Sequence, residues 1–255
     1  MHKPFILLSN DDGVQAPGLH VLIETLRPLA ELFVVAPDRP RSGAGCGLTS
    51  TLPLTCRCVR KEEGMQVYAC SGTPVDCVKL AFDQLLEGRK PDMVIGGINH
   101  GSNASINVHY SGTMGVAFEG CLQGVPSIAY SLCNHAEDAD FAPTQPVICR
   151  ITQAVLDNGL PQGTCLNVNF PDVPTFKGIR LCRMARSRWT NEYQPYDRPG
   201  VARRYYWLTG HCNSLEPQAD DTDDWALAQG YVAVTPTLTD VTDYSLLRTM
   251  KTWQL

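Results

Sequence analysis

The chain has 255 residues and a formal net charge of -5, a length that supports one large α/β domain or two small ones. The negative charge argues against nucleic acid as a general polyanionic partner, though it does not exclude a small anionic substrate. No apolar run approaches the ~20 residues needed to cross a membrane, and the N-terminal stretch is too short for a secretory signal and lacks its small-residue cleavage pattern. A soluble, intracellular protein is the expectation.

The first element is the apolar run Phe5-Ile6-Leu7-Leu8. Gly and Pro punctuation and then a helical pattern follow it, which reads as a buried strand entering a loop. That loop holds Asp11 and Asp12 side by side, directly before Gly13. In open α/β sheets ligands bind outside the carboxyl ends of the strands. Two adjacent carboxylates there repel each other and lose hydration, a cost that a divalent cation removes. The competing reading of the dipeptide has one Asp capping the next helix and the other in water. Ser9 and Asn10 add neutral oxygens, no Lys or Arg lies between Lys3 and Arg27, and Cys and His are absent from the loop. Oxygen-only ligands suit magnesium, manganese or calcium rather than zinc.

Further along, Leu19, Leu22, Ile23 and Leu26 share one face of a helix predicted over Gly18 to Leu29, and Leu32 to Ala36 reads as a second strand ending at Pro37. The loop Asp38 to Gly47 follows. Thr49 to Val59 and Met65 to Cys70 are expected to be extended. Thr73 and Pro74 have the types of an N-cap and a first helical residue, opening a helix to about Gly88. Asp92 to Ile95 reads as a strand emptying into a glycine-rich polar loop, Gly96 to Asn103. Tyr110 to Thr113 precedes a small-residue helix, and Ser127 to Ser131 is a further strand. This alternation predicts an α/β fold, a Rossmann-like, mostly parallel sheet with helices on both faces.

The C-terminal third differs. From about Gly178 to Asn213, aromatic and basic residues mix with Pro and Gly, which reads as a hairpin-like extension whose aromatics serve either an interface or the chain's own packing. The acidic stretch Asp220 to Asp224 is expected in a solvated loop or helix start. Tyr231 to Thr235 gives a last strand, and Tyr244 to Trp253 a terminal helix with an apolar face. The whole is expected to be a single domain over 1-255, with a core over about 1-177, the extension over about 178-213 and C-terminal elements over 214-255. Eleven cysteines are scattered without a C-x-x-C pair, so core packing in a reducing cytoplasm is the role expected for most of them.

Several loops taken together are more specific than any one of them. SNDDG with the following APG, the APD-x-x-x-SG segment at Ala36 to Gly43, GTP-x-DC at Gly72 to Cys77, GIN-x-G-x-N at Gly97 to Asn103, YSGT at Tyr110 to Thr113 and TP-x-x-TD-x-TD at Thr235 to Asp243 occur in this order. The set resembles the SurE family of survival-protein nucleotidases and covers essentially the whole chain. Met114, where the family often carries Val, is a mild departure.

The resemblance implies a cytoplasmic, metal-dependent phosphomonoesterase (5′-nucleotidase) acting on nucleoside monophosphates, with 3′-nucleotides and polyphosphate as further substrate classes. It implies one divalent cation, Mg2+ or Mn2+, held by Asp11, Asp12, Ser42 and Asn99, and a homodimer or homotetramer built through C-terminal elements and remote from the active site. Asp11 and Asp12 are then the catalytic acids. Asn10, Asn103, Ser111, Gly112 and Thr113 are typed to bind the phosphate, the last three at a helix start where backbone donors favour an anion. His100, next to a ligand position, is a lesser candidate for a general acid. Attack by water is favoured over attack by an aspartate, since the acids are adjacent rather than Asp-x-Asp. Two other classes compete. A dinucleotide-dependent oxidoreductase needs a G-x-G-x-x-G after the first strand, which is absent. A non-catalytic nucleotide- or metal-binding module would keep the loops and lack turnover.

Overall fold

A computed structural model describes residues 3-200 and 203-253. The first apolar run forms β1 (Phe5–Ser9), buried at every position. Ile6 and Leu8 pack into one apolar cluster and Phe5 and Leu7 into another. A strand buried on both faces needs layers above and below it. Helices α1 (Pro17–Leu26) and α4 (Gln145–Asn158) supply one layer, and α2 (Pro74–Leu80) and α3 (Gly112–Leu122) the other.

The remaining strands are β2 (Glu31–Pro37), β3 (Cys56–Glu62), β4 (Met65–Cys70), β5 (Met93–His100), β6 (Ser127–Leu132), β7 (Thr164–Phe170), β8 (Ile179–Leu181), β9 (Ser187–Thr190), β10 (Tyr193–Tyr196), β11 (Tyr205–Leu208), β12 (His211–Ser214) and β13 (Val232–Leu238). Nine of them make one sheet in the order β3-β4-β2-β1-β5-β6-β7-β13-β8. Its centre, from β4 to β7, is parallel throughout. β3 runs antiparallel on β4, and β13 antiparallel on β7. The α/β architecture expected from the alternation is therefore present.

Several elements depart from expectation. The glycine-rich stretch Gly96 to His100, expected as loop, continues β5 and pairs with β6 across an irregularity in register. Helix α1 stops at Leu26 rather than Leu29. Helix α2 opens with the expected Thr73 cap, completed into a capping box by Asp76, but gives way to a wider π turn over Ala81–Leu85. Helix α4 and strand β7 are additional to the predicted elements.

The extension is a hairpin arm in which β9 pairs with β12 and β10 with β11. β8, by contrast, joins the edge of the main sheet. The acidic stretch is a helix start, that of α5 (Asp223–Ala228) with Thr222 as its cap, yet Asp223 is not solvated. It is fully buried and accepts the N–H groups of Ser105 at 2.9 Å and Ala185 at 2.8 Å, tying the base of the arm to the segment before α3. Burial, and then the neighbouring charge of Asp223, pushes the Asp224 carboxyl up to about 6. The terminal helix α6 (Tyr244–Met250) buries none of its residues. All eleven cysteines are free, but only Cys70, Cys77, Cys121, Cys165 and Cys182 are buried, fewer than core packing for most would require.

Candidate active site

From β1 the chain crosses to β2 on one side, while β5 lies on the other, so the winding of the sheet reverses between β1 and β5. That reversal opens a crevice at the carboxyl ends of the two strands. Asp11 and Asp12 follow β1 into it, and Asn99 and His100 end β5.

Asp11 is buried, and its Oδ1 accepts the hydroxyl of Thr113. Burial is the largest influence on its carboxyl, the Thr113 bond opposes it, and the charge of Asp12 adds to it, with the result that the group is raised to about 6. The backbone of Gly112 adds a smaller influence in the same direction as Thr113. A carboxylate thus occupies the N-terminal end of α3, where free amides and the helix dipole favour an anion. A Cβ on Gly112 would lie 2.7 Å from the Asp11 Cβ and 3.0 Å from Pro74, so glycine is required for this approach.

Asp12 is held from the β5 side. Its Oδ2 accepts the backbone N–H of His100 at 3.1 Å and lies 3.7 Å from the His100 Nδ1, while the imidazole packs edge-on against Phe141. Among the described residues no Lys or Arg pairs with either acid. The Asn99 amide nitrogen donates to the carbonyls of His100 and Gly101, at 3.2 and 2.9 Å, which leaves its carbonyl oxygen for a cation. Ser42 is exposed, but its loop is pinned by a 2.7 Å bond from the Arg41 N–H to the Asp11 carbonyl. Two charged and two neutral oxygens, from two loops and the end of β5, are a donor set that fits a hard divalent cation with sites left for water or phosphate. No cluster of three or more His, Cys, Asp or Glu competes for a metal among the described residues.

Asp11, Ser42, Asn99, Asn103 and Ser111 line a common cavity of about 600 Å3. Ser111 caps α3, its Oγ accepting the Met114 N–H at 3.0 Å, so the ordinary capping role is realised while the hydroxyl proton stays free to donate. Asn103 is set by a buried polar network, donating to Ser131 Oγ at 2.7 Å and accepting at its carbonyl from Asn167 at 2.8 Å. Asn10, Asp12, Gly112 and Thr113 are not on the cavity wall. Asn10 bonds both ways with the backbone of Gly13 and closes its own loop, Asp12 is bonded to the His100 amide, and Gly112 and Thr113 pack on or bond to Asp11.

His100, the candidate general acid, is also on the wall, and the remainder of the wall has no counterpart among the predicted site residues. His135 packs on Gly101, and the arm contributes Trp189, Glu192, Tyr193, Leu208 and Thr209. This corrects the expectation that the C-terminal third stands apart from the active site. The aromatic enrichment of the arm was its only sequence signal, and it did not distinguish a ligand wall from a protein interface.

The family model described as Survival protein SurE matches residues 6-191. A 5′-nucleotidase SurE of Phocaeicola vulgatus is 57% identical over 253 residues, covering 99% of this chain and 98% of the relative. One from Bacteroides fragilis is 53% identical, with the same coverage. The crystal structure of the SurE protein from Aquifex aeolicus superposes with a TM-score of 0.83 at 38% identity, covering 97% of this chain and 98% of that one. With the crevice between β1 and β5 carrying the loops that mark this group, the chain belongs to the SurE family.

Proposed function

We propose that this protein is a divalent-metal-dependent phosphomonoesterase that hydrolyses nucleoside 5′-monophosphates to nucleoside and phosphate. The observation that carries this reading is the adjacent pair Asp11 and Asp12, which no Lys or Arg pairs with among the described residues, with Asp11, Ser42 and Asn99 on the wall of a cavity of about 600 Å3 and Asp12 bonded to the His100 amide beside it. The names of the curated relatives, 5′-nucleotidase SurE, support it.

Asp11, Asp12, Ser42 and Asn99 are the residues that would hold the cation, Mg2+ or Mn2+. When bound, such an ion supplies Lewis-acid stabilisation of charge on the phosphoryl oxygens. Thr113 fixes the Asp11 carboxylate through its hydrogen bond, and His100 fixes Asp12. The free hydroxyl proton of Ser111 and the second amide proton of Asn103, both on residues of the cavity wall, would bind the phosphate. Water is the nucleophile, since the carboxylates are engaged in holding the site. A cytoplasmic setting accords with eleven unpaired thiols and with the absence, among the described residues, of a helix long and apolar enough to cross a membrane.

Phosphate release from nucleoside 5′- and 3′-monophosphates and polyphosphate is the test. Activity is expected to vanish with excess EDTA and to return with magnesium or manganese. Full activity in EDTA after dialysis would overturn the metal, and no release from any nucleotide under either metal would leave the non-catalytic binding module.

The same reading includes a homodimer or homotetramer assembled through C-terminal elements. It is supported by α6, which buries nothing of its own and leaves Leu246 and Leu247 exposed. A short helix with such a face needs a cover to be stable. Truncation after Tyr244 is expected to lower the mass seen by light scattering, and an unchanged mass would remove α6 from the interface.

A further inference from the structure

Two kinds of residue line the cavity. Asp11, Ser42, Asn103 and Ser111 supply polar groups, and the arm supplies Trp189, Tyr193 and Leu208. Trp189 is half-buried, and its indole N–H donates to the Asn107 Oδ1 at 2.9 Å. That bond uses the only polar atom of the ring and fixes its plane. The strand bearing it is anchored again at Ser187, whose Oγ accepts the Ile106 N–H at 3.3 Å. Tyr193 and Leu208 are cross-strand partners on β10 and β11. They are 66% and 69% exposed although both lie on the cavity wall. A fixed aromatic ring and uncovered apolar side chains sharing one cavity wall with polar groups match a nucleoside monophosphate, which joins a flat apolar base to a phosphate.

We propose that the arm is the nucleoside-recognition element of this site, with Trp189 as the stacking platform for the base and Tyr193 and Leu208 completing its apolar wall. The inference rests on the nucleotidase reading above and assigns its substrate-binding residues. Stacking is tolerant of base identity, because every base has a π face. Purines, with the larger ring system, benefit most.

The test uses the full-length metal-loaded enzyme with AMP as substrate, and adenosine and inorganic phosphate as inhibitors. Loss of one stacking partner weakens binding by about tenfold. Trp189→Ala is therefore expected to raise the KM for AMP and the inhibition constant of adenosine by that factor, with kcat within about twofold and phosphate inhibition unchanged. Trp189→Phe should recover most of the loss. Tyr193→Ala, at an exposed position that the fold does not need, should shift adenosine in the same direction by a smaller factor. Adenosine inhibition unchanged in both alanine variants, or adenosine and phosphate weakened equally, would overturn the proposal. So would a fall in oligomeric mass with unchanged adenosine inhibition, which would assign these side chains to a protein interface. A parent enzyme inactive on every nucleoside monophosphate would instead overturn the nucleotidase reading itself.

Discussion

Asp12→Asn is expected to lower kcat for a nucleoside monophosphate by about a hundredfold to a thousandfold without loss of fold. The substitution removes a charge from the proposed cation site while keeping the side chain's volume. An amide oxygen at the same position still accepts the His100 N–H that now binds Asp12. Because the Asp12 charge helps to raise the Asp11 carboxyl, removing it also relieves repulsion in the metal-free protein, whose melting temperature should stay level or rise. Adding magnesium should then stabilise the variant less than the parent, since binding to the native state alone shifts stability by RT ln(1 + [L]/Kd). Near-native turnover under saturating metal would show that the carboxylate pair is not the site.

Thr113→Val is expected to weaken the apparent affinity for magnesium by about tenfold to a hundredfold, the usual effect of removing a group that orients a metal ligand. Turnover should recover at saturating metal. Valine keeps the shape of threonine but leaves the buried Asp11 carboxylate without the hydroxyl bond that opposes its protonation. The sign of the pH effect follows. The Asp11 carboxyl is raised to about 6 in the folded, metal-free chain, above its unfolded value. Its contribution to stability is therefore present at low pH and is lost as pH rises through about 6. A cation competes with that proton, so metal affinity should fall as pH drops through the same range, and in Thr113→Val the fall should begin at higher pH. Activation by magnesium with the parent's concentration and pH dependence would remove Thr113 from this role.

The sequence made the centre of the sheet legible because its strands are buried on both faces and so are written as unbroken apolar runs, as at Phe5 to Leu8 and Leu32 to Ala36. Thr73 announced α2 through its capping chemistry. Gly96 to His100 hid the end of β5, since Gly and Asn are poor strand formers and only pairing with β6 makes the segment extended. Asp223 looked like a surface charge because its partners, the amides of Ser105 and Ala185, come from distant segments. In the site, adjacency exposed Asp11 and Asp12, but the division of labour beside them was not local information. Thr113 turns to Asp11 instead of the cavity, Asn10 turns to its own loop, and Trp189 reaches the wall only because the arm docks on Asn107.

The neighbourhood of β1 and β5 also bears on how the protein comes to have a site at all. Their pairing joins Ile6 to Met93 and Ser9 to Gly96, a contact that closes a very long loop and is correspondingly slow to form. A nascent chain that has emerged only as far as β4 already contains Asp11, Asp12 and Ser42, yet it lacks Asn99 and the His100 amide that holds Asp12. With the ligand set proposed above, a cation would find its full set of donors only in chains in which the two halves of the sheet have met, so metal occupancy would report on completed assembly.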